Sequence, residues 1–243
     1  WKWLDNFWYH YKWQTLIVLF FVVVLAILIG QMTTKEESDL TVLYAGPKSL
    51  TATESASINA VFSSLLTEDF YDDGKKNASL IGIWLLTDEQ VKSYSDSSAD
   101  DENANNPLIF YNAAQSMQAL TQQVSGGDAV ICLLDPYWYR NLRDNNSFVP
   151  LRQVLGTVPS YAVDEYAVRL SDTPFGQYYT ALSVLPEDTL VAVMCERITT
   201  KLGSDRMQAL YQYQLNAFRA MMQFTFPEGY VTQIAESETL AAE

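Results

Sequence analysis

The sequence predicts an α/β protein: an N-terminal transmembrane helix, then a three-layer domain with a mainly parallel sheet and an antiparallel extension. Three observations carry this expectation. Leu16 to Ile29 is an unbroken run of aliphatic and phenylalanine side chains. Later, LTVLY (Leu40–Tyr44), LIGIWLL (Leu80–Leu86) and AVICLL (Ala129–Leu134) alternate with two amphipathic helical patterns. Strands that are apolar throughout and separated by helices belong to a parallel sheet covered on both faces. Finally, Ala167–Leu170 and Thr189–Met194 follow as two shorter strand-like runs around Pro174 and Gly176, the pattern of strands that return antiparallel.

The apolar run sets the predicted topology. A helix needs about 20 mostly apolar residues to cross a hydrocarbon core of roughly 30 Å, and residues 13–32 supply that length. Trp3, Trp8, Tyr9, Tyr11 and Trp13 precede it, an aromatic belt of the kind found at headgroup level, with Lys2 and Lys12 against Asp5 alone. Residues 1–12 are therefore expected at the cytoplasmic interface and the C-terminal part outside the cell, at the cell membrane. No A-x-A-like cleavage site and no lipoprotein cysteine follow the run, so an uncleaved signal-anchor is expected rather than a cleaved signal. Residues 33–39 read as a spacer, 40–227 as the extracellular domain and 228–243 as an acidic tail.

Within the domain, Thr51 to Glu54 forms a capping box ahead of Ile58, Val61, Phe62, Leu65 and Leu66 at helical spacing. Residues 93–106 are almost wholly Ser, Asp, Glu, Asn and Ala, an acidic loop that cannot pack a core. Asn106 and Pro107 then read as cap and first turn of a helix with Phe110, Ala114, Met117, Leu120 and Val124 on one face, stopped by Gly126 and Gly127. Pro150 starts a short helix reaching Leu155, and residues 205–224 form a long one with Leu210, Tyr213, Ala217, Met221 and Phe224 aligned.

Composition removes several functions. The chain carries 29 acidic and 15 basic side chains, a net charge of −14, which repels nucleic acid. Its one histidine, His10, precedes the apolar run, so the domain has no imidazole for a Ser/His/Asp triad, a Cys/His dyad or a zinc site. Acid pairs Asp72–Asp73 and Asp100–Asp101 lack the spacing of a calcium loop. The strand-to-helix turn at Gly46 and Pro47 lacks the glycines of a nucleotide fingerprint, and no cofactor or metal is expected. Cys132 and Cys195 read as buried free thiols, with pairing open if their strands are neighbours.

Ligands of open α/β sheets sit outside the carboxyl ends of the strands, where helix N-termini and loop amides converge. That places a candidate ligand- or partner-binding site at Tyr44 and Gly46 after the first strand, Thr87 and Asp88 after the second, and Asp135, Tyr137, Trp138 and Tyr139 after the third. Asp172, in the turn-rich segment SDTPF, is expected to fold over the same edge. The competing structural reading makes Asp135–Pro136 an ordinary helix cap and lets the three aromatics close the core.

The segment Phe7–Trp13 (FWYHYKW) running into the apolar span, with LLDPYWYRNL (133–142) and RLSDTPFG (169–176), resembles a group of uncharacterised single-pass membrane proteins of Gram-positive, clostridial-type bacteria. The order of elements resembles one lobe of a periplasmic solute-binding protein, and the chain has room for one lobe. These resemblances imply a membrane-anchored, solute-binding-like domain that works by binding a small ligand or a membrane-protein partner and is not an enzyme. The alternatives are a hydrolase using Asp88 and Asp135 as acid and base, and a structural subunit of a membrane complex whose span recruits the partner.

Overall fold

The computed structural model describes residues 11, 13, 15–27, 37–96, 107–126, 129–196 and 204–230. The chain divides into two compact units, Trp1–Glu37 and Ser38–Glu243. In the first, residues 15–27 are helical (α1). Their large apolar side chains are exposed, from Leu16 at 47% to Phe20 at 64%, except that of Val24, which is half-buried. Residues 28–32 of the predicted span lie outside the described ones. Among the described residues no helix is long and apolar enough to cross a membrane.

The second unit is α/β. Its strands are β1 (Leu40–Gly46), β2 (Ala78–Trp84), β3 (Ile131–Leu134), β4 (Ala167–Arg169) and β5 (Leu190–Val193). They form one sheet in the order β2-β1-β3-β5-β4. β1 pairs parallel with β2 and β3, while β5 runs antiparallel to both β3 and β4. Four strands thus share one direction and β5 alone is reversed, which is the predicted parallel sheet with an antiparallel extension.

Alternation along the strands divides the core between two faces. Val42, Tyr44, Ile131, Leu133, Val191 and Val193 point to one face, where they meet α2 (Ala52–Ser63), α6 (Leu151–Leu155), α7 (Pro174–Tyr178) and α8 (Ser204–Met222). Leu43, Ala45, Ile83, Cys132, Leu134 and Ala192 point to the other, against α4 (Pro107–Gly126) and α5 (Pro136–Asp144). α2 begins as its sequence dictates, with Thr51 Oγ1 accepting from Glu54 N–H and the Glu54 carboxylate accepting from Thr51 N–H at 2.7 Å. Both cysteines are free, and Cys132 is fully buried.

Several elements differ from expectation. α3 (Asp88–Asp96) occupies the first residues of the acidic loop expected over 93–106; residues 97–106 lie outside the described ones. Thr87 initiates α3 with a reciprocal cap, its N–H donating to Gln90 Oε1 and its Oγ1 accepting from Gln90 N–H. β2 lies two residues earlier than its apolar run; Leu85 and Leu86 follow it and stay buried, with Leu85 N–H donating to Gly46 O at 2.8 Å. Of the predicted face of α4, Leu120 and Val124 are buried but Met117 is exposed, and the side chain of Phe110 lies outside the described ones. Asp39, assigned to the spacer by sequence, is 1% exposed; its carboxylate accepts from Phe70 N–H and Asn77 N–H, both at 3.0 Å, and so ties the loop before β2 to the start of β1. The connection expected as a loop around Pro174 and Gly176 is instead a 3-10 turn (Leu170–Asp172), which takes the last residue of the predicted strand, then α7 and a second 3-10 turn (Thr180–Val184). Thr173 organises it, its buried hydroxyl donating to Leu170 O at 2.7 Å and accepting from Gly176 N–H at 2.9 Å.

Candidate functional site

The strand order reverses direction between β1 and β3. From β1 the chain adds β2 on one side, then crosses to add β3 on the other. The helices that follow neighbouring strands diverge at such a point and leave a crevice at the carboxyl edge. β1 ends there at Gly46 and β3 at Leu134, and the two are tied by Asp135 N–H donating to Ala45 O at 3.0 Å. Because β5 is antiparallel, its first residue Leu190 pairs with Leu134 and brings the preceding turn, with Asp188, to the same edge.

Tyr44 is 1% exposed, and its hydroxyl accepts from Lys48 N–H at 3.2 Å. The ring lies against Gly46, where an added Cβ would stand 2.9 Å from the Tyr44 hydroxyl, so that position has no room for a side chain. Trp84 Nε1 donates to Pro47 O at 2.9 Å and holds the same turn from the β2 side. Lys48 pairs with Glu54 at 3.3 Å across the start of α2. The turn after β1 is thus fixed by side chains of three elements.

Across the crevice, Asp135 caps α5, its carboxylate accepting from Tyr137 N–H at 2.8 Å, with Pro136 at the first helical position. Tyr137 extends over the edge and donates its hydroxyl to Asp88 Oδ2 at 2.8 Å, linking the ends of β3 and β2. Burial pushes the Tyr44 phenol up to about 12, opposed by the Lys48 N–H and reinforced by the charges of Asp135 and Asp188. Burial also raises the Asp135 carboxyl, with the Tyr137 N–H opposing and Asp188 adding to the rise. The Tyr137 phenol is raised first by its bond to the Asp88 carboxylate. Asp88, Asp135 and Asp188 make this edge acidic, so it suits a cationic or hydrogen-bond-donating group.

Not every predicted site residue joins this cluster. Trp138 and Tyr139 turn under α5 into the core, 4% and 2% exposed. Tyr139 stacks on Phe148 with ring centroids 5.3 Å apart and donates to both oxygens of Asp164 at 2.7 Å. Asp164 also accepts from the N–H groups of Tyr166 and Ala167 at 2.8 and 3.0 Å and from Arg143 at 3.1 Å. The competing structural reading holds for these two aromatics. Asp172 is exposed and pairs with Arg169 at 3.4 Å after β4. Thr87 caps α3, as described above.

Sequence reasoning missed Asp188 and Lys48. The signal for Asp188 was its place directly before the returning strand, which any antiparallel neighbour of β3 delivers to the carboxyl edge. Two clefts lie elsewhere, about 390 Å³ between α6 and α8, including Val154, Tyr211 and Arg219, and about 370 Å³ between α4 and α5, including Leu120, Trp138 and Asn145. Among the described residues no group of His, Cys, Asp and Glu is placed to hold a metal ion. Comparison with family models, with curated proteins and with solved structures finds no match.

Proposed function

We propose that this chain is a membrane-anchored extracellular binding domain, solute-binding-like, that recognises a protein partner or small ligand at the carboxyl edge of its sheet and performs no chemistry of its own. The observation that carries the reading is the convergence of Tyr44, Asp88, Asp135, Tyr137 and Asp188 at the point where the strand order reverses, the place where α/β sheets bind. A helix whose apolar side chains are mostly exposed, as those of α1 are, gains by placing that surface in hydrocarbon, which supports the anchor and the cell-membrane location. The acid–base pair of the hydrolase alternative fits less well, because the Asp135 carboxylate is turned into the start of α5 and Asp88 is engaged by Tyr137.

The test is recovery of partners from detergent-solubilised native membranes by the full chain, in parallel with the variants Tyr137→Ala and Asp188→Lys. Asp188 is exposed, whereas Tyr137 is half-buried and meets the Trp138 ring edge-on at 4.9 Å, so the folding of Tyr137→Ala is checked by circular dichroism alongside. The expected result is loss of the same recovered subunit from both variants. Undiminished recovery by both would transfer the interaction to another surface, with the membrane segment first in line.

A further inference from the structure

The two edges of the sheet are treated differently. β4 is three residues long, carries exposed Arg169 and is covered by a bridge from Ala162 to Val168, with Val163 N–H donating to Ala167 O at 2.9 Å. Short length, charge and a covering segment are the usual protections of a sheet edge. Among the described residues β2 has none of them. It is seven residues long, and residues 78–86 contain no charge and no proline.

The direction of its backbone groups follows from its bonds to β1. Asn77 O accepts from Leu40 N–H, and Leu85 N–H donates to Gly46 O. Odd-numbered residues therefore face β1, and Leu80, Gly82 and Trp84 direct their N–H and C=O groups outward. Ala78 faces outward too, but its N–H already donates to Ser63 Oγ at 2.8 Å. Gly82 is exposed, and Leu80, Ile81 and Trp84 are half-buried although β1, β3 and β5 lie deep in the core.

We propose that β2 is a self-association edge, which pairs antiparallel with β2 of a second copy about a two-fold axis through Gly82. In that register Leu80 lies opposite Trp84 of the second copy and Gly82 opposite its counterpart, each such pair exchanging both N–H···O=C bonds. Ile81 then meets Ile83 of the second copy on the other face, so the central cross-strand contacts are apolar. Charge selects the antiparallel direction. Exposed Lys75 and Lys76 precede β2, and exposed Asp88 and Glu89 follow it. The two-fold sets Lys76 opposite Asp88 and Lys75 opposite Glu89, whereas parallel pairing sets lysine beside lysine. Each interface is isologous and closed, the commonest form of symmetric dimer.

The experiment is the mass of the full chain in a mild non-ionic detergent over a wide range of protein concentration, by sedimentation. A monomer–dimer equilibrium is expected. Gly82→Lys puts two like charges face to face on the axis while leaving an exposed position in the monomer, and should weaken association about tenfold or more. Lys75→Glu should weaken it as well, and Lys75→Glu with Glu89→Lys should restore it. In a Cys195→Ser background, Gly82→Cys should form a covalent dimer on oxidation, because directly opposed residues of such a pair lie about 5.5 Å apart at Cα, within disulfide reach. Leu80→Cys should not, since its counterpart lies four residues away along the partner strand. A monomer at all concentrations, a dimer indifferent to Gly82→Lys, or equal cross-linking at positions 80 and 82 would overturn the proposal.

Discussion

Replacing Asp164 by alanine should remove a large polar contribution to the stability of the second unit. Its carboxylate, 24% exposed at the side chain, accepts from the Tyr139 hydroxyl and from the N–H groups of Tyr166 and Ala167, besides pairing with Arg143. Tyr139 is 2% exposed and Ala167 is fully buried, so removing the carboxylate takes the partner from two buried donors. Each orphaned buried group costs about 1–3 kcal/mol. The Arg143 pair, 40% exposed, adds about 0–1 kcal/mol. Allowing for non-additivity, Asp164→Ala should cost about 4 kcal/mol, a large fraction of the roughly 5–15 kcal/mol of a typical domain. Tyr139→Phe removes one bond and leaves Asp164 its backbone donors, so about 1 kcal/mol is expected. Urea unfolding followed by circular dichroism measures both. The acid limb supplies a second readout. Burial raises the Asp164 carboxyl, but the bonds from Tyr139, Tyr166, Arg143 and Ala167 outweigh it and hold the group below the usual carboxylate range. A depressed folded-state value means that this contribution is present above the unfolded value, about pH 4, and is lost as pH falls through the folded one. Asp164→Ala should therefore flatten the acid dependence of stability. A loss smaller than about 1 kcal/mol with an unchanged acid limb would refute the assignment of Asp164 as the hub.

Two further outcomes follow from local geometry. At Gly176 an added Cβ would stand 2.1 Å from Leu170 O, a backbone atom that cannot retreat without breaking the Thr173 turn, so Gly176→Ala should cost about 3 kcal/mol in the same unfolding assay. Tyr44 should titrate late: its folded value near 12 exceeds the unfolded value near 10, so its contribution to stability is complete below pH 10 and lost as pH rises toward 12. An ultraviolet difference titration of the wild type against Tyr44→Phe reads this directly, and a difference step near pH 10 would contradict the burial described.

Most of the second unit was legible because its strands are short, apolar and bounded by turn residues. All five fall within two residues of their sequence ranges, and the caps at Thr51 and Asp135 form as written. What escaped depends on partners far away in sequence. Asp39 reads as spacer because nothing local shows that Phe70 and Asn77 will return to its carboxylate. α3 escaped because its sequence is polar and its signal is the Thr87–Gln90 cap rather than an apolar stripe. The segment 170–184 escaped because Thr173, Pro174 and Gly176 are turn residues by propensity, and their helical role rests on the buried Thr173 hydroxyl. At the candidate site, strand ends were readable, whereas the division of DPYWY between edge and core was set by helix rotation: Tyr137 faces the edge and Trp138 and Tyr139 face inward.

Cys132 sits on β3, flanked by β1 and β5 and covered on its face of the sheet, and burial pushes its thiol up to about 12. At neutral pH almost none of it is thiolate, the form that reacts with alkylating reagents. Modification of Cys132 must wait until the middle of the sheet comes apart, while Cys195 is only half-buried. The chain thus carries its own stopwatch: the slow second equivalent of reagent consumed by the wild type times the opening of the whole unit, with no label added.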